Sequence, residues 1–232
     1  MLCRDRRAAT RDDAGLTLTE LLISMAIFGV LMAIVTSVMI SLTQMSKDTL
    51  ARSRAVSEAR LGIAQIDRQV RSGNVIMNPA AEDETTADVP AFFSMRIYTQ
   101  EDGEPKCAQW RVIDHDGDQF GDLEFRTWDP DYPAVEDVAP WAPVAHNLVT
   151  MPSTPPSDVS DIDADDVSTW PPFWVNGTAA GNTQAQSVTI TLRVKDPSET
   201  GSNVPTSLTT TVTGRNTVYN GASVSCDEVP PP

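Results

Sequence analysis

The N-terminal part of the chain contains one long uninterrupted apolar run. Residues 1–15 are polar, whereas no residue from Leu21 to Ser46 is charged. At about 1.5 Å per residue, the run LLISMAIFGVLMAIVTSVMISL is long enough to cross a hydrocarbon core of about 30 Å. The pattern therefore predicts a membrane-spanning helix within residues 16–46.

The following segment, residues 47–73, has the pattern of an amphipathic helix. Apolar residues recur at spacings of 3, 4, 3 and 4, and the arginines occupy other faces. The stripe consists of Val56, Ala59, Ile63, Ile66 and Val70. Gly73 and Asn74 are a suitable stop signal. A coiled-coil stalk is the alternative, but the stripe lasts only about two heptads.

Residues 74–232 are predicted to be rich in β-strands. The segments Phe92–Tyr98, Cys107–Asp114 and Leu123–Trp128 are separated by turn-forming residues, which predicts a three-stranded antiparallel meander. Ser187–Val194 alternates apolar and polar residues and is expected to pair with the β-branched segment Ser207–Thr213. A single sheet packed against the amphipathic helix would bury the stripe, giving an α+β fold.

A segment rich in proline and aspartate interrupts this pattern. Nine of the 17 prolines lie between Asp129 and Trp174, which predicts an irregular, exposed insertion over about residues 129–175. Its tryptophans Trp141, Trp170 and Trp174 have two interpretations: they contact a partner, or they pin the loop to the core.

The charge of the chain is acidic and unevenly distributed. The formal net charge is −15, which argues against binding to a nucleic-acid backbone. Residues 47–73 have a net charge of +3, whereas residues 74–232 contain 7 basic and 25 acidic residues and carry −18. Arginines in the leader favour a cytoplasmic N-terminus, although the basic helix beyond the span weakens this rule.

The junction between leader and apolar run carries a specific pattern. Gly15-Leu16-Thr17-Leu18-Thr19-Glu20-Leu21 resembles the class III signal of type IV pilins and pseudopilins, which is a charged leader ending in glycine, with glutamate five positions later and then an apolar helix. The first mature residue would be Leu16, where phenylalanine or methionine is commoner. CAQWRVID, GDLEFRTW and TTTVTGRNT look like sheet segments of larger minor pilins and J-type pseudopilins.

This resemblance implies a function and a set of partners. A prepilin peptidase would remove residues 1–15 by cleaving after Gly15, and the new amine of Leu16 would be methylated. Residues 16–46 would serve as the membrane anchor and then as the filament core, beneath a ladle-like α+β head. The expected partners are other pilin subunits, the prepilin peptidase and the assembly platform of a pilus or secretion pseudopilus. The resemblance leaves adhesion, motility, DNA uptake and protein secretion as open roles.

Glu20 is the one charged residue between positions 16 and 46. Glu20 lies four residues after Leu16, one helical turn away on the same face. A carboxylate in lipid is costly unless it has a partner, and in the resembled family that partner is the N-terminal ammonium of a neighbouring subunit. The alternative is a side chain that snorkels to the headgroups.

Two further functional classes can be compared with this interpretation. The rival is an uncleaved, signal-anchored binding protein outside the cytoplasm. An enzyme is not expected, because the two histidines, His115 and His146, accompany no nucleophile elbow, P-loop, HExxH or dinucleotide fingerprint.

The cysteines point to one disulfide. Cys3 would leave with the leader, and the remaining Cys107 and Cys226 are expected to pair in an exported domain. This bridge would fasten the C-terminal tail to a central strand.

An acidic loop is a candidate calcium site. Five carboxylates fall within eleven residues, and Ca²⁺ takes six to eight oxygen ligands. The candidate ligands are Asp114, Asp116, Asp118, Asp122 and Glu124. The loop resembles the D-x-D-G-D calcium loops of extracellular proteins but is not an EF-hand, because Gln119 stands where that motif has glycine. A solvated hairpin loop is the alternative, and no cofactor is required.

Overall fold

A computed structural model describes most of the chain in two units, one ending at Ser46 and one beginning at Lys47. The described residues are 15, 17–72, 75–101, 104–130, 138–149, 156, 158–175, 184–185, 187–195, 205–214, 226 and 228–231. Cys3, Leu16, Gly73 and Asn74 lie outside them.

Helix α1, Leu18–Ser72, provides the N-terminal unit and the first element of the C-terminal unit. In the N-terminal unit its large apolar side chains are exposed. An 18-residue window of α1 has a mean hydropathy of 2.5, and none of that window is buried. By length and composition, α1 can therefore cross a membrane.

In the C-terminal unit, α1 buries a row of small and β-branched residues against the sheet. This row is Ala51, Ala55, Ala59, Gly62, Ile66 and Val70, while Val56 and Ile63 are half-buried beside it. The predicted stripe is therefore confirmed, and its partner is the sheet of the same chain rather than a coiled-coil neighbour.

At Gly62, α1 passes very close to the sheet. A Cβ at Gly62 would lie 2.5 Å from Cδ2 of Leu123, which is fully buried. A few residues along the helix, Gln69 accepts a hydrogen bond of 2.6 Å from Nε1 of the buried Trp110. Small residues on α1 thus allow the helix to pack closely on the strands, and the Gln69–Trp110 hydrogen bond adds one polar contact between them.

Every paired strand in the described part of the C-terminal unit runs antiparallel to its neighbour. The strands are β1 Val75–Met77, β2 Ser94–Glu101, β3 Glu104–Ile113, β4 Phe120–Trp128, β5 Ala142–Val149, β6 Phe173–Trp174, β7 Gln184–Ala185, β8 Ser187–Val194 and β9 Thr206–Thr213. Their order is β6-β8-β5-β4-β3-β2-β1-β7, and β9 pairs with β8. A short helix α2, Glu84–Ala87, precedes β2. The predicted meander and the predicted final hairpin are both confirmed, within an α+β architecture.

The proline-rich segment is more regular than its composition predicts. The expectation of irregular structure from Asp129 to Trp174 is wrong at β5, which pairs with β4, and at the short β6. The one proline of β5, Pro143, pairs with Glu124 beside a shift in register, a position where a missing amide hydrogen is tolerated. Trp174 is buried, and Trp141 and Trp170 are half-buried, which favours their role as pins of the loop.

The sheet face away from α1 carries a buried polar ladder. Arg96, Gln109 and Arg126 are cross-strand neighbours on β2, β3 and β4, and Arg111 pairs with Glu124 in the next row. Further buried contacts of this face are Arg96 Nε to Glu82 Oε1 at 2.5 Å, Gln109 Nε2 to Glu82 Oε2 at 3.1 Å, and Arg111 Nη2 to Glu124 Oε2 at 2.8 Å. The guanidinium carbons of Arg111 and Arg126 lie 3.9 and 4.4 Å from the ring centroid of Trp141. The charges on this face are therefore buried together with partners.

Candidate functional site

The first turn of α1 brings Thr17 and Glu20 together. The amide and hydroxyl of Thr17 donate to Oε2 of Glu20 at 3.1 and 2.9 Å, and the amide of Glu20 donates to Oγ1 of Thr17 at 3.3 Å. These reciprocal bonds form a capping box at the start of the helix. Sequence analysis gave Glu20 a role but missed Thr17, although the T-x-x-E spacing carries the signal.

The capping box fixes where the carboxylate of Glu20 is held. Among the described residues, Thr17 is the partner of that carboxylate, and both residues are exposed. The negative charge is therefore at the helix N-terminus, where the helix dipole favours it. In this arrangement Glu20 has no cationic partner among the described residues, and Leu16, whose amine is the predicted partner, lies outside them.

Gly15 directly precedes Leu16 in the sequence. A Cβ added at Gly15 would meet no heavy atom within 4 Å. The fold itself therefore places no steric demand for glycine at this position. A requirement for glycine would have to come from another molecule that binds the backbone there.

The acidic β3–β4 loop brings three of its five predicted metal ligands together. One carboxylate oxygen from each of Asp114, Asp116 and Asp118 lies within 4.8 Å of the others. Amides of the loop already bond to these groups: Gly117 and Gln119 donate to Asp114 at 2.8 and 2.9 Å. Partial burial raises the pKa of Asp114, but these amide bonds outweigh it and the net pKa is lowered. The carboxylate is thus held ionised.

The other two predicted ligands have different partners. Asp122 contacts Nδ1 of His146 at 2.9 Å. Glu124 contacts Arg111, and its Oε1 lies 3.0 Å from Nε2 of His115. The loop therefore offers three converging carboxylates, half of the smallest ligand number typical of Ca²⁺.

A disulfide joins Cys107 of β3 to Cys226, with a Cα–Cα distance of 5.8 Å. The predicted pairing is confirmed. The tail has further anchors: Arg96 Nη1 donates to the carbonyl of Cys226 at 2.6 Å, and Arg126 donates to the carbonyls of Pro231 and Pro230 at 2.7 and 2.9 Å. We call the described tail residues, 226 and 228–231, the C-terminal strap. The strap covers the polar ladder of the sheet.

Comparison with known proteins identifies the N-terminal motif. The family model described as the prokaryotic N-terminal methylation motif matches residues 10–36, a range that contains Gly15, Thr17 and Glu20. No curated protein and no solved structure matches the chain. The motif and the apolar part of α1 are consistent with a membrane-anchored precursor.

Proposed function

We propose that this chain, a type IV pilin-like protein by its methylation motif and its α+β architecture, is a structural subunit rather than an enzyme. A motif of this type implies interaction with a prepilin peptidase and with pilus assembly machinery in general. In the proposed pathway the peptidase cleaves after Gly15. The mature chain then enters a type IV pilus or a type II secretion pseudopilus as a minor component.

The observation that carries the proposal is the arrangement at the start of α1. Glu20 lies in the first turn of a helix whose large apolar side chains are exposed in the N-terminal unit, and the hydroxyl of Thr17 donates a hydrogen bond to the carboxylate of Glu20. Cleavage would create an ammonium group on Leu16, one helical turn before Glu20. An ammonium group of a neighbouring subunit would neutralise the carboxylate inside the packed helices, where an unpaired charge is unfavourable.

The proposal also accounts for Gly15. Because a Cβ at Gly15 would meet only open space, the fold does not require glycine there, and we assign the requirement for glycine to the peptidase. Gly29 gives a matched control, because it also has open space around it but lies within the span.

The test combines mass spectrometry of the mature N-terminus with filament incorporation in the native cell. We expect a wild-type chain that begins at Leu16. Gly15→Ala should retain the leader, and Glu20→Ala should be cleaved but not incorporated, with the head folded in both variants.

Two substitutions serve as controls. Gly29→Ala and Glu104→Ala, the latter on an exposed part of β3, should be processed and incorporated normally. A wild-type chain that keeps Met1 would refute the proposal and favour the signal-anchored binding protein. Normal incorporation of Gly15→Ala and Glu20→Ala would also refute it.

A further inference from the structure

The outward face of α1 in the C-terminal unit combines arginines with exposed leucines. Among the described residues of this unit, large apolar side chains are exposed at Leu50, Leu61 and Val167, with exposed fractions of 55%, 65% and 41%. Two of these three therefore lie on α1. At about 100° per residue, Leu50, Arg54, Arg60, Leu61 and Arg68 fall within about 120° of arc, opposite the buried row. We call these five residues the outer stripe.

The three arginines of the outer stripe make no ion pair or hydrogen bond with another described residue, whereas the basic residues that flank them do. Arg52 donates to Oγ1 of Thr206 at 2.7 Å, and Arg71 pairs with Asp67 at 2.9 Å. The outer stripe thus presents unpaired positive charge together with apolar surface.

The third exposed apolar residue lies in a patch of opposite charge. Val167 follows a run of exposed aspartates that includes Asp158, Asp163 and Asp165. The carboxylates of Asp158 and Asp163 accept hydrogen bonds from the backbone amides of Ser160 and Asp165, both at 2.9 Å. We call Asp158, Asp163, Asp165 and Val167 the acidic patch.

We propose that the outer stripe of one subunit docks against the acidic patch of a second copy of this chain. The two surfaces are complementary. Each has exposed apolar surface, and the outer stripe is positively charged whereas the acidic patch is negatively charged. The contact is heterologous, because two different surfaces meet, and such contacts build rings or open helical assemblies rather than two-fold dimers. The inference rests on the proposed function and requires two copies of this minor component to be neighbours in the filament.

The size of the outer stripe suits a contact that supplements another interface between the two copies. From Leu50 to Arg68 the helix rises about 27 Å. One helix face of this length is smaller than a standard stable interface of about 800 Å² per partner. The contact is therefore weak alone and adds to the packing of the apolar helices.

The experiment uses the full chain in native membranes, with a photo-crosslinking amino acid in place of Leu61. We expect a cross-link to residues 158–167 of a second copy, mapped by mass spectrometry. Its yield should fall at least about fivefold when Arg54, Arg60 and Arg68 are all changed to Glu, because attraction is replaced by repulsion, and it should also fall with added salt.

A charge swap separates a direct contact from a loss of folding. Adding Asp158→Lys, Asp163→Lys and Asp165→Lys to the chain with the reversed stripe should restore the cross-link. A photo-crosslinker at Ala64, which is exposed on the same outer side of α1, is the matched probe and should give the same partner segment.

Several outcomes would overturn the inference. They are cross-links to lipid, to another protein or to a different segment of this chain, and a yield that the charge reversal leaves unchanged. The N-terminus is read from the same sample. A chain that begins at Leu16 without the cross-link refutes the contact alone, whereas a cross-linked chain that keeps its leader refutes the proposed function alone.

Discussion

Removing the disulfide should destabilise the head strongly without unfolding it. The perturbation is the double substitution Cys107→Ala/Cys226→Ala. Both cysteines are buried in a small cluster with Met77 and Trp128. Alanine keeps this site apolar, so the main change is the loss of the cross-link.

The magnitude follows from the length of chain that the bridge closes. The two cysteines are separated by 119 residues in sequence. The chain-entropy relation then gives a contribution of about 5 kcal/mol at 25 °C, and measured losses for native disulfides are about 2–5 kcal/mol. The hydrogen bonds from Arg96 and Arg126 to the C-terminal strap remain. We therefore expect the free energy of unfolding to fall by about 3–5 kcal/mol, with the strap still in place.

The assay is urea unfolding of the detergent-solubilised chain, followed by tryptophan fluorescence. Trp128 packs beside the bridge and reports on this region. The midpoint should fall and the slope m should rise, because the unfolded chain is no longer restrained and exposes more surface. Both proteins are prepared as the uncleaved precursor, in which Cys3→Ala is the control and should leave both quantities unchanged.

A fall smaller than about 1 kcal/mol in the double variant would refute the reasoning. It would mean that the strap opens before the rest of the head unfolds, so that the bridge restrains only a local segment. Reduced wild-type protein should behave like the double variant, and a clear difference between them would count against the same account.

Two further predictions concern α1 and the acidic loop. Gly62→Ala should lower the free energy of unfolding of the head by about 1–3 kcal/mol, because the added Cβ would lie 2.5 Å from the side chain of Leu123. Gly29→Ala is the control and should leave this free energy unchanged, because there is open space around Gly29. Equal thermal unfolding of the two variants would contradict this prediction. Ca²⁺ should bind the loop weakly, with a dissociation constant on the order of 10⁻³ M, because three carboxylates converge there. Calorimetric titration should show this binding lost in Asp116→Asn and kept in Glu104→Gln, and micromolar binding would disprove the weak site.

The strands that the sequence predicts best are those whose side chains alternate or whose turns are explicit. Ser187–Val194 matches β8 at both ends, because the alternation of apolar and polar side chains is a local property of the sequence, although the polar Thr189 and Thr191 are buried as well. The short β1 and the proline-containing β5 were missed. β5 is a strand because β4 beside it provides a ladder and a register shift that accommodates Pro143, and neither feature is visible locally.

In the candidate site, too, features formed by residues close in sequence were predicted, whereas features assembled by tertiary contacts were not. The junction at Gly15 and Glu20 is a contiguous motif and was found from the sequence, and the disulfide was predicted because the expected loss of Cys3 leaves two cysteines. The ladder of Arg96, Gln109 and Arg126 was not found, because its members come from three strands and meet only after the meander forms. The five carboxylates of the loop are close in sequence, but tertiary partners His146 and Arg111 remove Asp122 and Glu124 from the cluster.

The link between β8 and β5 has a mechanical consequence. Over the described residues these strands share one paired position, Leu148 with Val194, whereas β8 and β9 pair from end to end. If the sheet were pulled apart across its strands, few hydrogen bonds would resist the force between β5 and β8, whereas many would resist it between β8 and β9. Under such a load we expect the head to begin opening between β5 and β8 before either neighbouring hairpin unravels, and its resistance to opening there depends on the apolar side chains packed across these two strands.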